Sequence, residues 1–356
     1  MLSILSYFRS YFDPDADAPF ANHSAGQIAR HLHRALLRRG DVRYFGSKER
    51  PRGLHADLFL GHFWSFREFC ARNSFDARVV FYSVSDPVRR RRLLESLAGE
   101  FGVPLPESDF PPPSFDHHAT MEESDIVLLV GNRFTLDTFP VRWHSKIRLL
   151  NYGVDTGLFN RRLGVPRRNE FCYVATNCGL RKGFMDVLRT WSGIPASESR
   201  LHAIGEIEPP WDHLLARYNN GSIDAHGWID SRDDEYLRIL QSCRFAYIPT
   251  YEEGQMGTLI EAIYSGCVPI TTRASGLDER VLEHCVLVEP LDIEGQRQAI
   301  RSVLAWSDAE YHERQAKLLQ AARRHQSWNA FHAGLDAALA NLNEHSSELM
   351  AADERR

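Results

Sequence analysis

The fold is indicated most clearly by residues 245–271, which read FAYIPTYEEGQMGTLIEAIYSGCVPIT. The apolar run at 245–248 predicts a strand, and a second apolar run at 268–271 predicts another. Between them, Gly254 and Gly257 mark a turn, and the residues after the turn have the apolar spacing of a helix. A strand, a helix and a strand in this order predict a parallel α/β sheet.

The start of this helix predicts an anion-binding site. The first N–H groups of a helix have no partner within the helix, and the helix dipole adds partial positive charge at the same end. We therefore expect a phosphate group to bind at Gly257 and Thr258, with Leu259 next in the helix.

Two glutamates flank the predicted phosphate site. Glu253 precedes the turn, and Glu261 follows it two helical turns later. Carboxylates accept hydrogen bonds from hydroxyl groups, which ribose and sugars carry. Beside a phosphate site they predict binding of a nucleotide-sugar. A plain βαβ unit with surface glutamates also explains this segment, so the segment alone leaves both interpretations open.

The same alternation of strands and helices runs through the whole chain of 356 residues, whose length favours two domains. Strands are predicted at 2–7, 42–44, 58–61, 79–82, 126–130 and 147–150, and again at 171–175, 201–204, 223–225, 245–248, 268–271 and 286–288. In the first half, helices are predicted at 26–39, 65–72, 88–101 and 132–138. The polar stretch 160–169 is the predicted interdomain linker.

Composition is that of a soluble globular protein, with 43% hydrophobic and 25% charged residues. No apolar stretch approaches the length of a membrane span, and the first residues do not resemble a signal peptide. The six cysteines show no C-x-x-C spacing, which favours reduced thiols in a cytoplasmic protein. The net charge of −5 argues against a general nucleic-acid binder.

The spacing of the two glutamates resembles the E-x7-E motif of the retaining GT-B glycosyltransferases of family four, the group 1 glycosyl transferases. The usual form of that motif is E-G-F-G-x-x-x-x-E-A. The chain matches it at Glu253, Gly254, Glu261 and Ala262, and differs at residues 255–256. Four more segments resemble family motifs in the expected order: NYGVD at 151–155, with Tyr152 as an extra residue, TNCGLRKG at 176–183, HGW at 226–228 and SW at 327–328.

The resemblance implies a GT-B fold, in which two Rossmann-like doubly wound α/β domains face each other across a cleft. Residues 1–155 would form the acceptor domain and residues 156–328 the nucleotide-sugar donor domain. A helix at about 329–342 would cross back to the first domain. The polar residues 343–356 are predicted to be a disordered tail.

The resemblance also implies roles for donor-domain residues. Lys182 would bind the diphosphate, with a solvated lysine as the alternative. Asn177 stands where the family pattern has an arginine, and Arg181 would either replace that arginine or point to solvent. Glu253 would face the transferred sugar, with Gly254 beside it in the motif, and Glu261 would bind ribose.

Three residues after the third strand of the donor domain complete these implied roles. His226 and Gly227 would line the nucleotide pocket. For Trp228, a place in the pocket wall and packing in the core are equally good interpretations.

The acceptor domain is less informative. Gly26 occupies the place of the family's glycine-rich first loop, where it would contact the donor phosphate or the acceptor; a helix cap by Ser24 is the alternative. Many relatives have a histidine after the fourth strand, but residues 79–87 contain none. His62, after the third strand, is the candidate catalytic histidine. His117 and His118, which precede another predicted strand, are further candidates, and a structural role is the alternative for each.

Taken together, the resemblance implies a retaining transferase that moves a sugar from a nucleoside-diphosphate sugar to a saccharide or glycolipid acceptor. Synthesis of a bacterial-type envelope polysaccharide or glycoconjugate would be its role, without a cofactor or a metal ion. The alternative is a GT-B-fold binding or partner subunit that has lost catalysis, which the replacement at Asn177 and the missing histidine allow.

Charge distribution suggests one further partner. Residues 1–100 contain 16 Lys and Arg against 11 Asp and Glu, and residues 89–92 are four consecutive arginines. Basic helices of this kind can bind anionic lipid, which predicts peripheral contact with the inner face of a membrane. A solvated helix face is an equally good interpretation of the arginine run.

Overall fold

The computed structural model describes residues 1–8, 24–105, 110–111 and 115–353, with only the backbone described at 341 and 343–353. In these residues the strands form two six-stranded sheets, and every strand pair within them is parallel. Because helices cover both faces of a parallel sheet, its central strands are continuously apolar. Ile126–Val130 shows this, since all five of its residues are buried.

The first sheet has the strand order β2-β1-β3-β4-β5-β6. Its strands are β1 (Leu2–Tyr7), β2 (Asp41–Gly46), β3 (His55–His62), β4 (Ser74–Tyr82), β5 (Ile126–Val130) and β6 (Ile147–Leu150). The helices between and after them are α1 (Ser24–Leu37), α2 (Phe66–Cys70), α3 (Pro87–Phe101), α4 (His117–Glu123), α5 (Arg133–Leu136) and α6 (Thr156–Phe159).

Helix α3 has clear local signals at both ends. The Asp86 side chain accepts hydrogen bonds from the N–H groups of Val88 and Arg89, both at 2.9 Å, and Pro87 begins the helix. Gly102 ends it in the left-handed conformation, with φ of 65°. These signals fix the start of α3 close to the end of β4, where the two sheets approach each other.

The second sheet has the order β12-β11-β10-β7-β8-β9, in which its first strand lies in the centre. Its strands are β7 (Arg168–Asn177), β8 (Leu201–Glu206), β9 (Ile223–Gly227), β10 (Cys243–Ile248), β11 (Val268–Thr271) and β12 (Val286–Leu287). The helices are α7 (Phe184–Trp191), α8 (Trp211–Tyr218), α9 (Asp234–Ser242), α10 (Gly257–Ser265), α11 (Glu279–Leu282), α12 (Ile293–Leu304), α13 (Asp308–His325) and α14 (Trp328–Asp353).

Both strand orders reverse direction once, beside β1 in the first sheet and beside β7 in the second. In doubly wound sheets, ligands bind in the crevice at the carboxyl ends of the strands next to this reversal. The residues that follow β7 and β10 therefore lie where the topology favours a ligand site.

Helix α14 returns to the first sheet. His332 Nε2 lies 2.8 Å from His31 Nδ1 on α1, and Asp336 forms a 3.1 Å ion pair with Arg38. The ring of Trp328 stacks on His31 with centroids 3.8 Å apart. The last helix thus contacts the domain that the chain left at about residue 150.

The predicted fold class of two doubly wound α/β domains is confirmed, and the observed strands coincide with or extend the predicted runs, except that β12 is one residue shorter than its run at 286–288. The structure adds helix α4, where the sequence analysis placed only residues leading to a strand. Residues 344–353, for which disorder was predicted, continue helix α14. Good helix formers such as Glu, Leu, Met and Ala are frequent in that segment. Residues 354–356 of the predicted tail lie outside the described residues.

Candidate active site

A cavity of about 710 Å³ lies between the two domains. The second domain supplies residues 174–182 at the end of β7, residues 228–231 after β9 and the start of α10. The first domain supplies Ser24 and Ala25 at the start of α1, with Ser83 and Val84 after β4. The cavity therefore combines the carboxyl ends of both sheets, as expected for a ligand site in this topology.

The start of helix α10 faces this cavity through Gly257 and Thr258. No side chain caps the helix from the Met256 position. A Cβ atom on Gly257 would lie 3.0 Å from the Tyr152 hydroxyl and 3.3 Å from Ser24 Cβ, so the close packing here favours glycine. The positive end of a helix is therefore directed at the cavity, and it favours an anionic ligand.

Glu253 forms ion pairs with both Arg181 and Lys182, and all three residues line the cavity. Burial alone would raise the pKa of Glu253, which is 8% exposed, but Arg181 and Lys182 outweigh burial and lower it. The carboxylate is consequently ionised at neutral pH. Two cations and one anion meet here, so this cluster has a net positive charge.

Arg181 resolves a question that the sequence raised about Asn177. Asn177 lines the cavity and brings no charge to it. Arg181, four residues later, reaches Glu253 beside Lys182. The cavity therefore contains a second cation next to Lys182 although the arginine of the family pattern is replaced.

Glu261 lies in the same cavity on the next turns of α10, and the Tyr236 hydroxyl donates a 2.5 Å hydrogen bond to its Oε2. Burial raises the pKa of Glu261 to about 7, against a smaller opposing effect of Tyr236. Glu253 and Glu261 thus have opposite pKa shifts, because cations surround the first and a neutral hydroxyl faces the second.

A buried ion pair beside the cavity was missed by the sequence analysis. Arg90 Nε of α3 lies 2.9 Å from Glu252 Oε2, and Glu252 Oε1 accepts a 3.1 Å hydrogen bond from Ser85 N–H. Arg90 and Glu252 are 6% and 5% exposed. Arg90 was predicted as one of four arginines on a basic face, whereas the 3.6-residue helical period turns it inward from that run.

The residue order around β9 corrects the predicted nucleotide pocket. His226 and Gly227 do not line the cavity, and Trp228 is the first residue of this segment that does. His226 Nε2 instead lies 3.0 Å from His202 Nδ1, and His202 Nε2 lies 3.0 Å from Glu170 Oε2 on β7. Burial and the neighbouring His202 lower the pKa of His226. Trp228 is 49% exposed at the cavity edge, so the structure places it in the wall rather than the core.

Gly26, Gly254 and Leu259 of the predicted donor site do not line the cavity either. Gly26 is buried within α1, and Ser24 and Ala25 face the cavity instead. Leu259 is fully buried in the core. Gly254 lies against the other domain, since a Cβ atom there would be 2.1 Å from the Ser83 carbonyl oxygen. Residues 9–23, which precede α1, lie outside the described residues.

His62 does not line the cavity either. Only 3% exposed, it packs against the rings of Tyr7 and Phe8, with centroids 5.2 and 4.7 Å away. Burial lowers its pKa to about 3, so the ring is neutral at physiological pH. His117 is also held internally, by Asp86 at 2.9 Å and Tyr82 at 3.1 Å. These contacts support the structural alternative for both histidines.

Tyr152 and Gln255 are further cavity residues to which the sequence analysis assigned no role. Both had been noted as differences from the family pattern, which was the available signal. Within the described residues, no group of three or more His, Cys, Asp and Glu side chains is arranged to hold a metal ion.

Comparisons with known proteins agree with this geometry. Residues 168–305 match the family model described as "Glycosyl transferases group 1". The chain is 28% identical over 156 residues to MMP alpha-(1->4)-mannosyltransferase of Mycolicibacterium hassiacum, and this match spans 42% of the chain and 38% of the relative.

Two solved structures share the fold along nearly the whole chain. Sucrose-phosphate synthase from Thermosynechococcus elongatus gives a TM-score of 0.65 at 19% identity, covering 99% of this chain and 100% of the other. The E. coli protein described as trehalose-6-phosphate bound with UDP-2-fluoro glucose gives 0.64 at 11% identity, covering 96% and 99%. The chain therefore has the GT-B fold, and its residues 168–305 are similar to the group 1 glycosyl transferases.

Proposed function

We propose that the chain is a retaining glycosyltransferase that uses a nucleoside-diphosphate sugar. The observation that carries this proposal is that Lys182, Arg181 and Glu253 line a cavity shared by both domains, together with the start of helix α10. A diphosphate fits the cations and the helix start, and a polyhydroxylated group fits the carboxylates of Glu253 and Glu261.

The proposed donor is supported by the space and the neighbouring groups. A cavity of about 710 Å³ lies in the size range typical of sites for small molecules and cofactors. Trp228 offers an exposed aromatic face at its edge for a base. One related fold was solved with UDP-2-fluoro glucose, which supports a nucleotide-sugar as the ligand class.

In the proposed reaction, the bond between the anomeric carbon and the leaving diphosphate breaks as the acceptor oxygen bonds to the same carbon. The acceptor hydroxyl proton passes to a leaving phosphate oxygen, so no separate general base is needed. Lys182, Arg181 and the α10 N–H groups stabilise the negative charge that develops on the diphosphate. This proposal requires neither a cofactor nor a metal ion.

A binding or partner subunit without catalysis is the second candidate. The observations that favour it are the uncharged Asn177 in the cavity and the burial of His62 away from it. Arg181 weakens this candidate, because it restores the second cation beside Glu253.

The decisive experiment is a transfer assay with the purified chain. UDP-, GDP- and ADP-sugars are offered with saccharide and glycolipid acceptors in excess EDTA, and nucleoside diphosphate release and the product anomer are measured. The proposal predicts acceptor-dependent release, with the donor's anomeric configuration retained. Lys182→Ala should lower this release, and Lys317→Ala, a change at a surface lysine paired with Glu313, is its matched control. Binding of a donor without release or hydrolysis would support the second candidate, and activity that requires added metal would contradict the proposed electrostatics.

The acceptor is proposed to be a saccharide or an envelope glycolipid at an anionic membrane surface. The structure narrows the basic surface of α3 that supports this idea, because Arg90 is buried and Arg91 lies over the Phe110 ring at 4.2 Å. Arg89 and Arg92 remain exposed, next to the exposed side chains of Val88 and Leu93. Among the described helices, none combines the length and apolar character needed to cross a bilayer.

Vesicle sedimentation tests this membrane contact. Each arginine near an anionic surface contributes about 1 kcal/mol of binding free energy, which salt weakens. The Arg89→Ser/Arg92→Ser double variant should lose binding to anionic vesicles, and neutral vesicles should bind neither protein. Equal sedimentation of the wild type and the variant at low salt would exclude this surface.

A further inference from the structure

Tyr152 and Gln255 form a reciprocal hydrogen-bonded pair at the wall of the cavity. The Tyr152 hydroxyl donates to the Gln255 carbonyl oxygen at 2.9 Å. The Gln255 side chain in turn accepts from Tyr152 N–H at 3.3 Å and donates to the Tyr152 carbonyl oxygen at 3.0 Å. Both residues are buried, and 103 residues separate them in the sequence.

These two residues are also two places where the chain departs from its family's sequence pattern. Tyr152 is an extra residue in the segment that joins the two domains, and Gln255 replaces the usual phenylalanine of the glutamate motif. The structure brings the two departures into direct contact. Since each satisfies polar backbone atoms of the other, the loss of either one leaves buried groups without partners.

The Tyr152 hydroxyl also reaches the start of helix α10. It interacts with the Gly257 backbone and the Ser24 side chain, and a Cβ atom on Gly257 would lie 3.0 Å from it. One hydroxyl therefore contacts the turn at Gln255, the first helical residue of the proposed phosphate site and the first helix of the other domain.

The ring of Tyr152 is held from the opposite side by the C-terminal segment. Trp328 stacks on it with centroids 6.0 Å apart, and Gln326 donates a 3.3 Å hydrogen bond to its carbonyl oxygen. Gln326 is itself fixed by the Asp278 N–H at 2.9 Å. Trp328 and Gln326 thus hold Tyr152 in the position from which it contacts the cavity residues.

From these contacts we propose that Tyr152 is a positioning residue for diphosphate binding, with Gln255 as its matched partner. The pair holds residues 255–257 so that the start of α10, at Gly257 and Thr258, stays at the cavity wall. This inference rests on the proposed function, because it assigns the pair to the phosphate part of the donor. It does not require Tyr152 to contact the ligand.

The test is a double-mutant cycle with Tyr152→Phe and Gln255→Met, which keep the ring and the side-chain length. Calorimetry measures affinity for UDP and GDP, and ligand-observed NMR measures affinity for uridine and guanosine. Each single variant should weaken nucleoside diphosphate binding by about tenfold, and the loss in the double variant should be smaller than the product of the two single losses. Nucleoside affinity should not change, because nucleosides carry no phosphate.

Gln255→Asn, which stays uncharged but shortens the reach of the amide to Tyr152, replaces Gln255→Met if the latter does not fold. Losses that multiply in the double variant, or equal losses for nucleoside and nucleoside diphosphate, would show that the pair has only a general structural role. Failure of the wild-type chain to bind any nucleoside diphosphate, ADP included, would instead contradict the proposed function and this inference with it.

Discussion

Glu252 and Glu253 are adjacent in the chain, yet they belong to different parts of the molecule. Glu252 pairs with Arg90 of the first domain, whereas Glu253 pairs with Arg181 and Lys182 of the second. Both carboxylates are less than a tenth exposed. One turn thus supplies a carboxylate to the contact between the domains and another to the proposed donor site.

The two glutamates differ in whether a ligand could replace them at their cationic partners. Glu252 is enclosed by Ser85 N–H and by Arg90, which also lines the cavity but is only 6% exposed. Glu253 faces two cations that also line an open cavity, so a diphosphate could take them over. We therefore expect changes at Glu252 and Arg90 to affect stability, and changes at Glu253 to affect ligand binding.

The largest expected effect is on stability at the interdomain ion pair. Removing one partner of a buried pair typically costs about 3–5 kcal/mol, because the remaining charge is left without compensation. Arg90→Met should lower the free energy of unfolding by that amount in urea denaturation. Arg91→Ala, at the neighbouring and more exposed arginine, is the matched control and should change it by less than about 1 kcal/mol. Similar small effects of both substitutions would show that the ion pair between Arg90 and Glu252 does not stabilise the protein.

A smaller effect is expected at Glu261, whose environment contrasts with that of Glu253. Its pKa in the folded state is about 7, against an ordinary value of 4.5, so the folded state holds the proton more tightly. Its contribution to stability is therefore present below about pH 4.5 and is lost as pH rises through 7.

Glu261→Gln should remove this loss while keeping a partner for the Tyr236 hydroxyl. The variant's free energy of unfolding minus that of the wild type should increase between pH 5 and pH 8, by at most about 3 kcal/mol. The unfolding temperatures should change in the same direction. Thermal denaturation at the two pH values is the measurement. A difference between the two proteins that does not change with pH would argue that Glu261 titrates normally.

The part of the cavity that the second domain supplies could be predicted from sequence because its elements are local. A strand, a turn and a helix start are encoded within residues 245–262, and the ends of β7 and α10 meet through the sheet topology. The resemblance then suggested Lys182, Arg181 and Glu261, all of which line the cavity.

The part of the cavity that the first domain supplies could not be predicted in the same way. Arg90 was interpreted as part of a charged run, and its orientation became visible only once Glu252, 162 residues later, was placed beside it. His62 was chosen for its position after a strand, but aromatic neighbours from β1 and the following loop bury it. Such long-range pairs leave no spacing signal in a single sequence.

The central claim is that Lys182 and Arg181 form the diphosphate site and that Glu253 occupies these cations until the donor binds. Calorimetry of free nucleoside diphosphate binding to Lys182→Ala and Glu253→Gln tests it most directly. Lys182→Ala should weaken binding by at least tenfold, because a charge-assisted contact is lost. Glu253→Gln should strengthen binding, by up to about tenfold, because it removes a competing negative charge. If both substitutions weakened binding to the same extent, the account would be contradicted.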